Sequence, residues 1–191
     1  MNNQQRIIIG LTGQLAAGKG AIADFLTTEC GFSYFSLSHR VRELAKTNGI
    51  ENATREILQD TGDMARKNFG GDILARLTAG LAFLSNSNQI VIDGIRNPAE
   101  VEFFKQSPDF TLCAITADRD KRFKRMLARA RPSDPTTYEQ FLVVDNRDFC
   151  DPTNLLGQQV GKCIELAHTT IENNGTTDEL ISKIKSFTKT L

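Results

Sequence analysis

A glycine-rich segment near the start of the chain has the residue types that bind phosphate groups. Residues 13–20 read G-Q-L-A-A-G-K-G, after the apolar run 6–11 and before the helical pattern 21–26. Glycines let backbone N–H groups curl around an anion, the helix N-terminus adds partial positive charge, and Lys19 supplies a full charge. Strand, loop and helix in this order predict a phosphate-binding loop. Gly20 stands where such loops usually carry a hydroxyl that ligates Mg²⁺.

The predicted phosphate contacts come from the loop and the first residues of its helix. They are Gly13, Ala16, Ala17, Gly18, Lys19, Gly20 and Ala21. The alternative is a turn rich in glycine and alanine with one exposed lysine, which the flanking strand and helix patterns disfavour.

A second chemical site follows the buried run 89–93. Asp93 and Arg96 come just after its carboxyl end, the edge where open α/β sheets bind ligands. Asp93 is placed to hold Mg²⁺, directly or through water, and Arg96 to fork onto a phosphate of a second substrate. The alternative is an aspartate that caps a turn and an arginine in a surface salt bridge.

An arginine-rich helix is predicted over about 119–130. Arg122, Arg125 and Arg129 share one face by their spacing, away from the apolar face, and Arg131 follows. Arginines on a closing lid neutralise charge during phosphoryl transfer, so we expect a lid around 119–150. The alternatives are a solvated helix face and an RNA-binding face, and the zero net charge disfavours the second.

Polar residues also follow the second predicted strand. Ser36, Ser38, His39 and Arg42 lead from that strand into a helix and could hold an acceptor. The alternative is a serine N-cap, Ser36 or Ser38, followed by ordinary surface charges.

Short apolar runs alternate with helical patterns along the whole chain. Alternation with short connections predicts one α/β domain, residues 1–191, with a five-stranded parallel sheet and helices on both faces. The clearest break is 131–137, R-P-S-D-P-T-T, where we expect mobility.

The bulk composition excludes several classes of protein. Lys+Arg and Asp+Glu are equal at 23 each, which argues against a nucleic-acid or membrane surface. No apolar run is long enough for a membrane helix, and the polar residues 1–5 do not resemble a signal peptide. The four cysteines form no C-x-x-C pair, so free thiols in the cytoplasm are expected.

These motifs resemble the P-loop nucleoside monophosphate kinase group, above all dephospho-CoA kinase-like and adenylate kinase-like proteins. The resemblance rests on G-L-T-G-x-x-x-x-G-K-G, on Asp93-Gly94-x-Arg96 and on the run 167–175, A-H-T-T-I-E-N-N-G. It implies a three-layer P-loop NTPase fold with a small helical lid, ATP as donor and Mg²⁺ as cofactor. It places Asn173 and Gly175 beside the adenine. Arg147, in the pattern D-N-R-D, is a further candidate for the lid and substrate.

Both histidines stand where the dephospho-CoA kinase pattern has aspartates. His39 occupies the place of the acceptor base, and a histidine can accept a proton near neutral pH. His168 stands at the second of these positions, where we expect a structural role and not a catalytic one.

The favoured function is therefore an ATP-dependent kinase acting on a nucleotide-like, small-molecule acceptor, a nucleoside or deoxynucleoside monophosphate. Lys19, Asp93, Arg125, Arg129 and His39 are the predicted catalytic residues, and Ser36, Ser38, Arg42, Arg96, Arg131 and Arg147 the predicted acceptor contacts. The alternatives are a dephospho-CoA kinase and a non-catalytic nucleotide-binding regulatory domain. The acceptor, the choice of ATP or GTP, and the oligomeric state stay open.

Overall fold

A computed structural model describes residues 6–191, and the polar start at 1–5 lies outside the described residues. Its centre is a five-stranded sheet in the order β2-β3-β1-β4-β5, with every described pairing parallel. The strands are β1 Ile7–Gly13, β2 Ser33–Ser36, β3 Gln89–Asp93, β4 Phe110–Thr116 and β5 Thr169–Glu172. The parallel α/β prediction is confirmed.

Helices cover both faces of this sheet. They are α1 Lys19–Cys30, α2 Leu37–Thr47, α3 Arg55–Phe69, α4 Ile73–Leu84, α5 Pro98–Lys105, α6 Arg119–Arg129, α7 Tyr138–Phe149, α8 Val160–Glu165 and α9 Thr177–Thr188. Because side chains alternate along a strand, Ile90 and Ile92 pack under α2, α4, α5 and α8, whereas Val91 packs under α1 and α9. Both faces are therefore apolar, as buried parallel strands require.

Two close contacts fix the carboxyl end of β1. Thr12 is fully buried and its hydroxyl donates a hydrogen bond to the carbonyl of Ile95 at 2.8 Å. Gly13 has φ +132°, and a Cβ at this position would lie 2.0 Å from the carbonyl oxygen of Ile115. Only glycine fits here, so the chain leaves the sheet at a defined point and the loop begins there.

Helix α7 was not predicted from the sequence, although its start carries a readable signal. Thr137 and Gln140 form a capping box, the same arrangement that begins α5 at Asn97 and α9 at Thr176. Phe141 and Val144 of α7 pack with Met126 of α6 and with Leu15 of the glycine-rich loop. The arginine-rich helix therefore has a partner helix that seats it beside the loop.

Arg122 does not lie on a solvated face of α6, which was the alternative considered for these arginines. Its side chain is 1% exposed and forms a bidentate ion pair with Asp145 of α7, with Nη2 to Oδ2 at 2.9 Å. Nη1 also donates to the carbonyl of Leu15 at 3.1 Å and Nε to that of Ala117 at 3.0 Å. Helix periodicity identifies which residues share a face of α6, but it does not predict that α7 covers Arg122 at one end of that face.

The four cysteines are free thiols, as expected. Among residues 6–191, no helix combines the length and apolar character that crossing a membrane requires.

Candidate active site

The glycine-rich loop joins β1 to the N-terminus of α1. Gly18 caps α1 in the left-handed region at φ +116°, and Ala16 has φ +57°. The Asn173 amide donates to the carbonyl of Ala17 at 2.8 Å, and a Cβ on Gly18 would lie 2.4 Å from the same amide nitrogen. Apart from its chain neighbours and the backbone of its own helix, no atom of residues 6–191 lies within 4 Å of a Cβ placed on Gly20. The missing hydroxyl at position 20 is therefore not imposed by packing.

The side chain of Lys19 folds back over the loop. Its Nζ donates to the carbonyl of Gly13 at 2.5 Å and to that of Gln14 at 2.9 Å. Burial lowers the pKa of the Lys19 amine to about 7, although the nearby Asp93 carboxylate opposes the shift. An anion above the loop would favour the charged amine, so this lysine is poised to respond to a bound phosphate.

Asp93 lies at the carboxyl end of β3, level with Leu11 of β1 and Ser36 of β2. The hydroxyl of Tyr34 donates to its Oδ2 at 3.1 Å, and burial together with the Asp93 charge raises the pKa of Tyr34 to about 12. The other oxygen, Oδ1, is buried and has no hydrogen-bond partner among the described residues.

An orphaned carboxylate oxygen at this edge fits a cation or its bound water. Within residues 6–191, no group of three or more His, Cys, Asp or Glu side chains could hold a metal. A magnesium ion here would therefore take Asp93 together with water and phosphate oxygens, which is the usual way proteins hold this ion beside nucleotides.

One cleft of about 1350 Å³ joins the loop, α2, α6 and the segment 131–133. Eight basic side chains line it: Lys19, Arg42, Lys46, Arg55, Arg96, Arg125, Arg129 and Arg131. Three acidic ones do so: Asp24, Glu51 and Asp93. A chain with zero net charge thus concentrates positive charge at one place, which suits a polyanionic ligand.

Two arginines of the predicted lid already have partners. Arg125 donates to the carbonyl of Asn173 at 2.9 Å and to that of Gly175 at 3.4 Å, so it ties 173–175 to α6 beside the loop. Arg129 forks onto Asp134, with Nε to Oδ2 at 2.7 Å and Nη2 to Oδ1 at 3.0 Å.

Ser36 is the N-cap of α2, and its Oγ accepts from the backbone N–H of His39 at 3.4 Å. Its Oγ also lies 2.9 Å from that of Ser38, and Arg42 donates to the Ser38 carbonyl at 3.3 Å. The His39 ring is 61% exposed at the rim of the cleft, 3.4 Å from a carboxylate oxygen of Glu43. All four predicted acceptor-side residues line the cleft, and Ser36 is at the same time a helix cap.

Sequence analysis did not identify three residues next to Arg96: Arg55, which lines the cleft, and Gln59 and Asp148, which lie behind it. Asp148 of α7 accepts from Arg96 Nη1 at 3.4 and 3.5 Å and from the Gln59 amide at 2.7 Å, and it lies 3.6 Å from Nη2 of Arg55. Burial raises the pKa of Asp148, but Arg96 and Arg55 outweigh it, so this pKa lies below its ordinary value. No local motif links Arg55 and Gln59 to α7.

Four of the predicted site residues do not line the cleft: Gly13, Arg147, Asn173 and Gly175. Arg147 pairs with Asp60 at 2.6 Å and Asp63 at 3.0 Å of α3, outside the cleft. Away from the cleft, His168 Nδ1 accepts from the backbone N–H of Leu112 at 2.8 Å.

Comparison with known proteins places this chain in a family. A family model described as an AAA domain matches residues 9–145. UPF0200 protein TV0279 of Thermoplasma volcanium is 36% identical over 171 residues, which cover 87% of this chain and 88% of the relative. The chain belongs to the AAA domain family and to the UPF0200 family. UPF0200 protein Ta0179 of Thermoplasma acidophilum is 35% identical over 184 residues, 94% of each chain.

Solved structures resemble this UPF0200 chain in fold. TT1252 from Thermus thermophilus superposes with a TM-score of 0.65 at 17% identity, over 98% of this chain and 99% of the other. Shikimate kinase from Acinetobacter baumannii in complex with shikimate gives 0.58 at 18% identity, over 98% and 94%. At these identities the likeness establishes the fold alone. The fold is that of the P-loop kinases, as predicted.

Proposed function

We propose that this protein is an ATP-dependent small-molecule kinase that moves the γ-phosphoryl group to a nucleotide-like acceptor, a nucleoside or deoxynucleoside monophosphate. The observation that carries the proposal is the single cleft. It holds a phosphate loop with Lys19, a strand-end carboxylate with a free oxygen, Asp93, and an excess of arginines. Phosphoryl transfer needs positioning and charge neutralisation, which these groups supply. Four free thiols agree with a cytoplasmic site of action.

On the donor side, the backbone N–H groups of 16–21 and Lys19 are the proposed phosphate ligands. The segment 173–175 is the proposed neighbour of the adenine, through Asn173 and Gly175. Arg125 supports this assignment because it already joins that segment to α6. Asp93 is the proposed cation ligand, and bound Mg²⁺ would neutralise phosphate charge there.

On the transfer side, Arg125, Arg129 and Arg131 are the proposed groups that stabilise charge on the moving phosphoryl group. To bind phosphate oxygens, Arg129 must break its bidentate contact with Asp134. We therefore expect the segment after α6, which carries Asp134, to move when the ligand binds. Ser36, Ser38, Arg42 and Arg96 are the proposed acceptor contacts. Arg147 supports α3 through its aspartates and does not reach the cleft, so its contribution is indirect.

The role of His39 depends on the acceptor. A phosphate monoester is largely ionised at neutral pH and attacks without a base, whereas a sugar hydroxyl must lose a proton. His39→Ala should therefore leave a nucleoside monophosphate kinase nearly unchanged, but it should lower kcat by about 10²-fold or more if dephospho-CoA is the acceptor.

The test is an acceptor screen. ATP consumption is measured with nucleoside monophosphates, deoxynucleoside monophosphates and dephospho-CoA, for the wild type, Lys19→Ala and the control Lys67→Ala, an exposed lysine of α3. We expect turnover with a monophosphate that Lys19→Ala abolishes and Lys67→Ala keeps.

One observation favours a non-catalytic regulatory domain as the second candidate. Gly20 leaves the loop without its usual hydroxyl, although nothing in the packing forbids one. Tight ATP binding with no acceptor-dependent ADP across the whole panel would favour that candidate and refute the kinase.

A further inference from the structure

Arg55 is a buried cation whose hydrogen-bonding capacity is not used. Its side chain is 11% exposed at the start of α3, and its nearest anion is Asp148, with Nη2 to Oδ2 at 3.6 Å. Its Nε is buried and has no hydrogen-bond partner among the described residues. A buried N–H donor without a partner is costly, so the Nε of Arg55 favours a ligand that accepts from it.

The charge around Arg55 is unbalanced. Arg96 shares the same carboxylate, at 3.4 Å from Oδ2 of Asp148, so two partly buried arginines, Arg96 at 16% and Arg55 at 11% exposure, face one acid. Arg42 lines the same cleft, and desolvation together with the charges of Arg96 and Arg131 lowers its pKa. Coulomb repulsion among these cations favours an anion between them.

A small pocket opens beside these arginines. It has a volume of about 30 Å³ and is lined by Arg55, Arg96, Arg42 and Gln59, next to the apolar side chains of Leu37 and Leu74. The same three arginines line the main cleft, so the small pocket adjoins it. The side-chain oxygen Oε1 of Gln59 is buried and has no hydrogen-bond partner within residues 6–191. This volume suits one water molecule or one ligand oxygen, and it excludes a nucleobase.

We infer that Arg55 and Arg96 form a specificity site for a phosphate monoester of the acceptor, with one phosphate oxygen or a bridging water directed into the small pocket. The inference rests on the proposed function in one respect, that a small-molecule acceptor enters this cleft. Arg55 uses its free Nε and Nη donors as a bidentate fork, and Arg42 adds charge. A dianion matches the excess of cations better than a carboxylate does.

Asp148 is the positioning residue of this site. It lies on α7, is 4% exposed, and is itself held by the Gln59 amide at 2.7 Å. Its carboxylate contacts both Arg55 and Arg96, and these contacts are long, at 3.4 to 3.6 Å, so they orient the two guanidinium groups without using all of their donors.

The test measures phosphate binding and does not require turnover. The full chain is first saturated with Mg²⁺ and the non-hydrolysable analogue AMP-PNP, so that the loop and the γ-phosphate position are filled. Inorganic phosphate is then titrated by calorimetry and by thermal shift. Arg55→Met is compared with the wild type, Lys67→Met on the same helix is the control, and sodium acetate is the carboxylate probe.

We expect phosphate to bind the AMP-PNP complex, Arg55→Met to weaken it at least about tenfold, and Lys67→Met to leave it unchanged. Acetate should raise the melting temperature less than phosphate at equal ionic strength. Absence of phosphate binding, or equal binding by Arg55→Met, would overturn the assignment, and an equal effect of acetate would overturn the choice of phosphate. A kinase that fails the acceptor screen can still pass this test, so the two failures are distinguishable.

Discussion

Replacement of Arg55 by methionine should stabilise the free protein, which is unusual for a buried residue. Burial lowers the pKa of Arg55 from the ordinary value of an arginine to about 10, with Asp148 opposing the shift and Arg96 and Arg129 adding to it. One pKa unit corresponds to about 1.4 kcal/mol, so keeping this cation charged costs about 3 kcal/mol of folding free energy. The folded pKa lies below the unfolded one. The cost is therefore complete below about pH 10 and disappears only as the pH rises towards the ordinary pKa of an arginine.

Methionine has a similar length, carries no charge and packs well in irregular spaces. Asp148 keeps Arg96 and the Gln59 amide as partners after the change. We expect the free energy of unfolding of Arg55→Met to rise by about 1–3 kcal/mol, which for a chain of this size raises the melting temperature by about 2–10 °C. Urea denaturation and thermal melts at pH 7.5 measure both quantities.

Arg66 is the matched control, because it is a second buried arginine of α3. Its side chain is 2% exposed, and Nε and Nη2 donate to Oε1 of the fully buried Glu100 at 3.0 and 2.8 Å. Arg66→Met leaves that carboxylate buried without its partner and should cost about 3–5 kcal/mol. If Arg55→Met destabilises the protein as much as Arg66→Met does, the charge at Arg55 is satisfied in the free protein and our reasoning is refuted.

Three further predictions concern the loop. At pH 8 an amine with a pKa of about 7 is mostly neutral, so ATP binding should restore the charge of Lys19, and the protein should take up about 0.9 proton. Calorimetry in two buffers of different ionisation enthalpy measures this uptake. An uptake of zero would contradict the prediction. Gly20→Ser places a hydroxyl in open space and should tighten Mg²⁺-dependent ATP binding by about threefold to tenfold, with binding in EDTA as the reference. Gly13→Ala sets its Cβ 2.0 Å from the carbonyl oxygen of Ile115 and should lower the free energy of unfolding by more than about 3 kcal/mol. Gly20→Ala, the control, should leave the free energy of unfolding equal or higher. Equal melting temperatures for the two variants would refute that argument.

The sheet and the donor side of the cleft could be predicted because local patterns determine them. The apolar runs of β1, β3 and β4 are separated by helical patterns, and parallel strands bring their carboxyl ends to one edge of the sheet. Asp93 and the glycine-rich loop each follow such a strand directly. Their meeting at that edge therefore follows from topology alone.

The pairing of Arg55 with Asp148 could not be predicted because it depends on contacts between distant segments. Arg55 begins a helix without a recognisable motif, and its partner Asp148 lies on α7, which the hydrophobic pattern did not reveal. The burial of Arg122 on α6 could not be predicted for the same reason. Arg122 is buried only because α7 covers it, and no spacing within α6 records that contact.

The ion pair between Arg122 and Asp145 has a consequence for sequence variation. Arg122 reaches the carbonyl of Leu15 only while Asp145 aligns its guanidinium group. Loss of Asp145 alone would leave the Arg122 charge enclosed beneath the loop, and loss of Arg122 alone would leave Asp145 with only its 3.4 Å contact to Arg119, so single changes at these positions should destabilise the protein. Among relatives that keep the phosphate loop, positions 122 and 145 should therefore change together, to an apolar pair or to a reversed pair, and only rarely one at a time.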